Sequence, residues 1–438
     1  MDEARTARQS EPVVCVVGAG WSGLAACRAL QRRDIPFTCL ERDRQVGGMW
    51  QWVGCAAPGP GYAALHLNTS KRMTAFADLP MPVHYPVFPD HRQVAEYLRQ
   101  YAEQTGLRDT MEFSAQALEV CRRGGRWQVR VRDSRGSVTE RLFEHVVIAT
   151  GHHQIPRSPE PDPAGGGFTG QSLHAADYHD NRAMAGRRVL VVGFGASAAD
   201  IVVDISRVAA ATLLSVRRGL HVTPKRLFGI PIDEIPGMAW WQEMSFAEQR
   251  RLMEMVLWLT RGTMADFGLP EPDHPLFSSA LTISDDLLTR ISHGYVQPRP
   301  AVAAFDGPRV HFTDGSAAEV DVIVYCTGYD PDFGLLGPSA PTDRACRIRL
   351  YLRVVAPEAP GLAFLGLIRP VGALTRLLEQ QAAWLAAVIS RAVQLPSPAR
   401  MNEEIDTYLA EIAARYGSDP RHTVQVDFAP YTAALATP

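Results

Sequence analysis

The sequence contains no CxxC pair. Its seven cysteines, at positions 15, 27, 39, 55, 121, 326 and 346, are scattered, which argues against a zinc ribbon or a disulfide framework and fits a reducing compartment. A basic run is missing too. With 44 Lys and Arg against 47 Asp and Glu, a net charge of −3, nothing draws the chain electrostatically to nucleic acid or an anionic membrane. Apolar runs such as GLAFLGLI at 361–368 stop at Arg369 and Pro370, short of the roughly 20 residues of a spanning helix. The polar opening MDEARTARQSEP lacks the apolar core of a signal peptide, so residues 1–11 are expected to form a flexible tail and the protein to be cytoplasmic. Neither a GxSxG elbow nor a Ser-His-Asp arrangement is present, which argues against hydrolase chemistry. His152 and His153 are adjacent and expected to point apart in an extended loop, with no third ligand nearby, so no metal site is expected. What remains is a chain of 438 residues, 46% hydrophobic, sufficient for two or three domains.

The run VVCVV at 13–17 is continuous, apolar and β-branched, as in a parallel strand covered on both faces. Gly18, Gly20 and Gly23 follow, with Trp21 and Ser22 inside the turn, and then a helical apolar pattern from Leu24 to about Gln31. In a dinucleotide-binding turn the first glycine permits the tight bend, the second admits the pyrophosphate and the third lets helix pack on strand. A second strand, FTCL, ends in Glu41, followed by Arg42. An acid there bonds ribose hydroxyls and repels a 2′-phosphate, favouring FAD or NAD over NADP.

The pattern recurs. VLVVGFGASAAD at 189–200 supplies Gly193 and Gly195, then Ala196 and Ser197, with Ala198 in the third glycine position. The next strand, ATLLSVRR, ends in Arg217 and Arg218, guanidinium groups suited to a 2′-phosphate, though a solvated pair at a strand end is the competing account. Two turns with opposite charge at the next strand's end point to two ligands, FAD in the first and NADPH in the second. The segment 226–300 lacks strand periodicity, and AWWQEMSFAEQRRLMEMVLWLTRG has helical spacing, so Trp240, Trp241 and Trp258 are expected to serve packing first and a substrate channel second.

Several segments resemble known families. GGMWQWVGC at 47–55 opens with what looks like the glycine pair that closes over the FAD pyrophosphate in two-dinucleotide flavoproteins, which implies cofactor contacts from Gly48, Met49 and Trp50. Disulfide reductases of that superfamily carry CxxxxC here, whereas this chain has Trp50 and Cys55, so dithiol relay chemistry is not expected. HVVIATG (145–151) and DVIVYCTG (321–328), with Thr150, Thr327 and Gly328, resemble strands that return from one nucleotide domain toward the other. FTGQSLHAADY at 168–178 matches the flavin-containing monooxygenase fingerprint FxGxxxHxxx(Y/F) at Phe168, Gly170, His174 and Tyr178, and NTSKRMTAFADLPMP at 68–82 resembles that family's NxSKxMxxFSDFP segment.

The resemblance implies an α/β protein with two Rossmann-like dinucleotide-binding domains. The FAD domain would be discontinuous, 12–164 and 318–438, with an NADPH domain inserted at 165–317 that carries a helical insertion at about 226–300, and PEPDPAGGG at 159–167 serves as linker. It also implies an activity, oxygenation of nitrogen or sulfur in a small amine or sulfide by dioxygen through a flavin C4a-hydroperoxide, with Baeyer-Villiger oxidation, a plain NADPH oxidase or a redox sensor as alternatives. Asn68 corresponds to the family's asparagine near the flavin, although alone it would read as a turn residue. His174 is expected to fix domain geometry, Arg369 stands where many relatives have glutamine, and a homodimer is expected by analogy with related enzymes.

Overall fold

The computed structural model describes residues 12–51, 60–159, 161–163, 165–278, 281–370, 372–417 and 419–436; the expected tail at 1–11 and Cys55 lie outside them. Two five-stranded sheets, parallel throughout, organise the chain. The first has the spatial order Leu362–Phe364, His145–Ile148, Val14–Val17, Phe37–Glu41, Met111–Phe113. The second runs Gln171–His174, Val322–Tyr325, Arg188–Val192, Ala211–Ser215, Gln297–Arg299. The orders are equivalent: a central strand followed by its glycine turn, two later strands on one side, and a returning strand plus an outer strand on the other. Only the outer strand differs, coming late in the chain for the first sheet and early for the second.

The continuous apolar runs explain the central positions, because a strand such as VCVV or VIVY, buried along its whole length, needs partners on both edges and layers on both faces. Helix Trp21–Gln31 buries Leu24, Cys27 and Leu30 in a core shared with Leu377, Leu378 and Leu385 of helix Leu374–Ile389. Each such leucine contributes about 1.5–3 kcal/mol on burial. An antiparallel meander, Gln116–Arg123, Arg126–Arg132 and Val138–Phe143, was not anticipated from the sequence; its Trp127 is buried and donates from Nε1 to Pro360 O at 3.0 Å.

The strand memberships move the expected boundaries. Val322–Tyr325 lies beside Arg188–Val192 in the second sheet, so the return to the first unit falls after Tyr325 and not at 318. The outward crossing also comes before 165, since Ile155–Pro156 already pairs antiparallel with Tyr329–Asp330 of the return crossing. Nor is 226–300 purely helical: helices Ala239–Gln242, Phe246–Arg261 and Leu287–Ser292 alternate with short strands, and Gln297–Arg299 is an edge of the second sheet. Of the three tryptophans expected to pack, Trp241 does, whereas Trp240 and Trp258 are 47% and 61% exposed.

The 168–178 fingerprint has a structural origin. An added Cβ at Gly170 would lie 2.5 Å from the Phe168 ring and 2.7 Å from Asp321 O, so only glycine lets Phe168 fold back over the second sheet. His174 ends the sheet's outer strand; its Nδ1 accepts from Ala176 N at 3.1 Å and its ring meets Tyr329 edge-on at 5.0 Å, beside the crossings. Burial pushes this imidazole below its ordinary pKa. Tyr178 is buried and donates to Asp204 Oδ2 at 2.7 Å, while Asn181 Nδ2 donates to Asp204 Oδ1 at 2.9 Å. Tyr178→Phe leaves a buried carboxylate oxygen without its donor and is expected to cost about 1–3 kcal/mol, read as a lower midpoint in thermal unfolding of the flavin-loaded protein; an unchanged midpoint would show that water replaces the hydroxyl.

Candidate active site

The two glycine turns are built alike. Gly18 has φ +101° and an added Cβ would lie 2.7 Å from Ala149 O; Gly193 has φ +131° and its Cβ would lie 2.5 Å from Cys326 O. Gly18 N donates to Leu40 O at 2.8 Å and Gly193 N to Ser215 O at 3.1 Å. Each turn therefore backs onto the end of its returning strand, which places Thr150 behind the first and Thr327 behind the second. At Gly23 a Cβ would come within 1.8 Å of Gly18 O, so helix and turn touch without room for a methyl. Its counterpart Ala198 is fully buried, and the second helix tolerates the side chain.

Gly20 and Gly195 are the N-caps of helices Trp21–Gln31 and Ala196–Ile205, both extended and neither followed by a side-chain cap. The first backbone N–H groups of both helices, including those of Ser22 and Ser197, thus lack intrahelical partners at a positive dipole end, an arrangement suited to a pyrophosphate. The approach is open: an added Cβ at Gly195 meets nothing within 4 Å, and at Gly20 its nearest neighbour is Gly48 Cα at 3.7 Å. Gly47 N donates to Ala19 O at 3.0 Å and Gly48 has φ +55°, so the second glycine pair lies against the first turn. Met49 is exposed, and Trp50 packs against the cores of both sheets. Ser22 meets a residue that the sequence did not single out: a Cβ at Gly366 would lie 2.1 Å from Ser22 Oγ, so the 365–368 segment crosses the helix start closely.

The acid and the arginines differ in their surroundings. Glu41 is buried; its Oε2 accepts from Ala19 N at 2.6 Å and its Oε1 from Asp43 N at 2.9 Å. Burial raises its pKa and the two backbone donors lower it, the first effect prevailing. Each carboxylate oxygen retains lone-pair capacity for a ribose hydroxyl. Arg42 beside it is exposed. Strand Ala211–Ser215 ends before the arginines, which follow it as an exposed pair. Arg218 Nε donates to both oxygens of Asp273 at 2.9 Å, whereas Arg217 has no ion pair among the described residues.

Asn68 is half-buried, and its Oδ1 is buried with no hydrogen-bond partner among the described residues. An orphaned, buried amide oxygen fits a bound group that brings its own hydrogen-bond donor. Thr327 Oγ1, in contrast, is committed to Arg157 O at 2.9 Å, and Gly328 O to Arg157 N at 3.1 Å; both belong to the crossing ribbon. The His152 and His153 rings do not point apart as expected: their centroids are 4.3 Å apart, and His152 Nδ1 lies 3.2 Å from Gly366 O. Burial lowers the His152 pKa to about 4. No group of metal-ligating side chains occurs among the described residues. Arg369 is exposed, in a short strand paired with Gln425–Val426. Sequence reasoning gave no role to Asp200, at the end of the second turn's segment, and missed Tyr62, Lys225 and Asp233, which lie in no motif and find their partners only through the fold.

Two substitutions test these placements. Arg217→Ala is expected to raise KM for NADPH roughly tenfold or more while leaving that for NADH nearly unchanged, with a smaller effect for Arg218→Ala because Asp273 already occupies that guanidinium. Glu41→Gln removes one charge-assisted acceptor and is expected to weaken FAD binding by about 1.5–3 kcal/mol, measured by titrating apoprotein with FAD.

Comparison with known proteins agrees with this geometry. Residues 11–438 match the family model described as flavin-binding monooxygenase-like. Flavin-containing monooxygenase 5 of Oryctolagus cuniculus is 34% identical over 432 residues, 95% of this chain and 80% of that protein. An N-oxide-forming dimethylaniline monooxygenase 2 of Mus musculus is 30% identical over 446 residues, 97% of this chain and 82% of that one. Among solved structures, S-allyl-L-cysteine S-oxygenase of Allium sativum has a TM-score of 0.74 at 24% identity, covering 97% of this chain and 87% of that one. Cyclohexanone monooxygenase of Rhodococcus has 0.70 at 16%, covering 97% and 96%; both structures speak to the fold alone. Among the described residues no helix is long and apolar enough to cross a membrane. A match along nearly the whole chain, over two glycine turns of the same build, makes this protein a member of the flavin-binding monooxygenase-like family, an FAD-dependent enzyme that uses NADPH.

Proposed function

We propose that the enzyme transfers one oxygen atom from dioxygen to a nitrogen or sulfur centre of a small amine or sulfide, in the balance NADPH + H⁺ + O₂ + substrate giving NADP⁺ + H₂O + oxygenated substrate. The FAD, when bound, supplies hydride acceptance and dioxygen activation. The chain's residues supply binding, orientation and dryness. The first turn, Glu41 and the Gly47–Gly48 closure would hold the FAD pyrophosphate and ribose; the second turn with Arg217 would hold NADPH by its 2′-phosphate. Six described cysteines, Cys15, Cys27, Cys39, Cys121, Cys326 and Cys346, are free thiols, in keeping with a reducing, cytoplasmic setting.

The observation that carries this reading is the unpartnered, buried Asn68 Oδ1. A carboxamide at the flavin presents a donor and an acceptor without a titratable proton, so it can hold a polar reacting group while withholding an acid that would discharge it as peroxide. Burial pushes the His152 pKa down to about 4, so that imidazole is not an acid at neutral pH.

Asn68→Ala is expected to lower product formed per NADPH consumed by about tenfold or more, with the difference appearing as hydrogen peroxide. Full coupling in that variant would remove Asn68 from the site. Supplying the wild-type enzyme with methyl phenyl sulfide, a tertiary amine and a cyclic ketone, and identifying products by mass spectrometry, tests the substrate class. Sulfoxide or N-oxide is expected, and a lactone as the main product would move the assignment to ketone oxidation.

A further inference from the structure

The segment carrying Asn68 has its main chain pinned from the second unit by two buried charged side chains. Lys225 is 5% exposed, and its Nζ donates to Leu67 O at 3.0 Å, immediately before Asn68. Asp233, 7% exposed, accepts through Oδ2 from Ser70 N at 2.8 Å and Ser70 Oγ at 3.0 Å, just after it. Ser70 in turn caps the short helix Lys71–Thr74 through Met73 N. On the other side Leu67 N donates to Pro89 O at 2.9 Å.

Burying an ammonium and a carboxylate costs several kcal/mol each unless both are well paired. These two do not pair with each other. Lys225 points at a main-chain carbonyl, with the Phe88 ring at 5.1 Å, and Asp233 at a main-chain N–H. Apolar residues at both places would satisfy packing alone at lower cost, so the charges indicate a demand for position. The residue they bracket has no side-chain partner at Oδ1 of its own, and the direction of its amide therefore depends on where the main chain on either side is held.

We propose that Lys225 and Asp233 are positioning residues that set the orientation of Asn68 from across the boundary between the two nucleotide-binding units. The proposal rests on the reading of Asn68 given above. It assigns to the second unit, besides nucleotide binding, control over the geometry at the flavin. A shift of about 1 Å in a reacting group's position is enough to cost orders of magnitude in rate.

The test uses the flavin-loaded enzyme without organic substrate, following NADPH-driven hydrogen peroxide release, NADPH + H⁺ + O₂ giving NADP⁺ + H₂O₂. Lys225→Met and Asp233→Ala are expected to raise this release roughly fivefold or more. Flavin content and the anaerobic rate of flavin reduction by NADPH should stay within about twofold of wild type, and Asp233→Asn, which keeps an acceptor oxygen for Ser70, should restore the low rate. The deciding measurement is a double-mutant cycle: on an Asn68→Ala background, Lys225→Met should add little. Multiplying effects in the cycle, an unchanged leak in both single variants, or flavin content and reduction rate falling in parallel would each overturn the positioning role. The Asn68→Ala single variant reports separately on the role of Asn68, so a failure there is recognisable as such.

Discussion

Two parallel sheets, each buried on both faces, cannot share a strand, so one chain that builds both must cross between them twice. The crossings run side by side, Ile155–Pro156 against Tyr329–Asp330, with Arg157 bound to Asp330 at 2.6 Å. That ion pair is partly exposed on both sides and contributes at most about 1 kcal/mol; a ribbon of two residue pairs adds little more. The relative placement of the units is held instead by buried polar contacts away from the ribbon: Tyr62 donating to Asp200 at 2.8 Å, Lys225 to Leu67 O and Ser70 to Asp233. Losing a partner there strands a buried polar group, at about 1–3 kcal/mol each. All three contacts converge on the 62–70 stretch.

The duplication is geometric but not chemical. Both turns use a left-handed glycine against a returning strand and an uncapped helix start, since any dinucleotide presents a pyrophosphate. The difference lies one strand later, where a buried carboxylate ends one strand and an exposed arginine pair follows the other. Burial suits a hydroxyl, which accepts a fixed direction, whereas exposed guanidinium groups can reach a mobile phosphate.

Much of this was legible in the sequence because it is local. Strand, turn and helix around Gly18 and Gly193 follow from consecutive residues, and Glu41 and Arg217 need only one further strand to be found. The boundary at 318 was misplaced for a related reason: DVIVYCTG reads as a buried strand, yet which sheet buries it depends on a partner, Arg188–Val192, more than a hundred residues away. Lys225 and Asp233 were illegible because a buried charge leaves no periodicity, and each has a backbone atom among its partners, Leu67 O and Ser70 N, of a kind that every residue has. The exposed Trp258 misled in the opposite direction: its helical spacing is genuine, but spacing cannot say which face of the helix the rest of the protein covers.

The differing origin of the two outer strands bears on the order of events during synthesis. The second unit takes its outer strand from Gln171–His174 and its last strand from Val322–Tyr325, so its sheet can close once Tyr325 has left the ribosome. The first sheet waits for Leu362–Phe364, and until then the edge of His145–Ile148 stands unpaired. A nascent chain therefore carries an open, apolar strand edge throughout translation of the inserted unit, the kind of edge that recruits a wrong partner. Prompt folding of the insert shortens the distance over which residues 362–364 must find their place, and so protects the half of the enzyme that began first and finishes last.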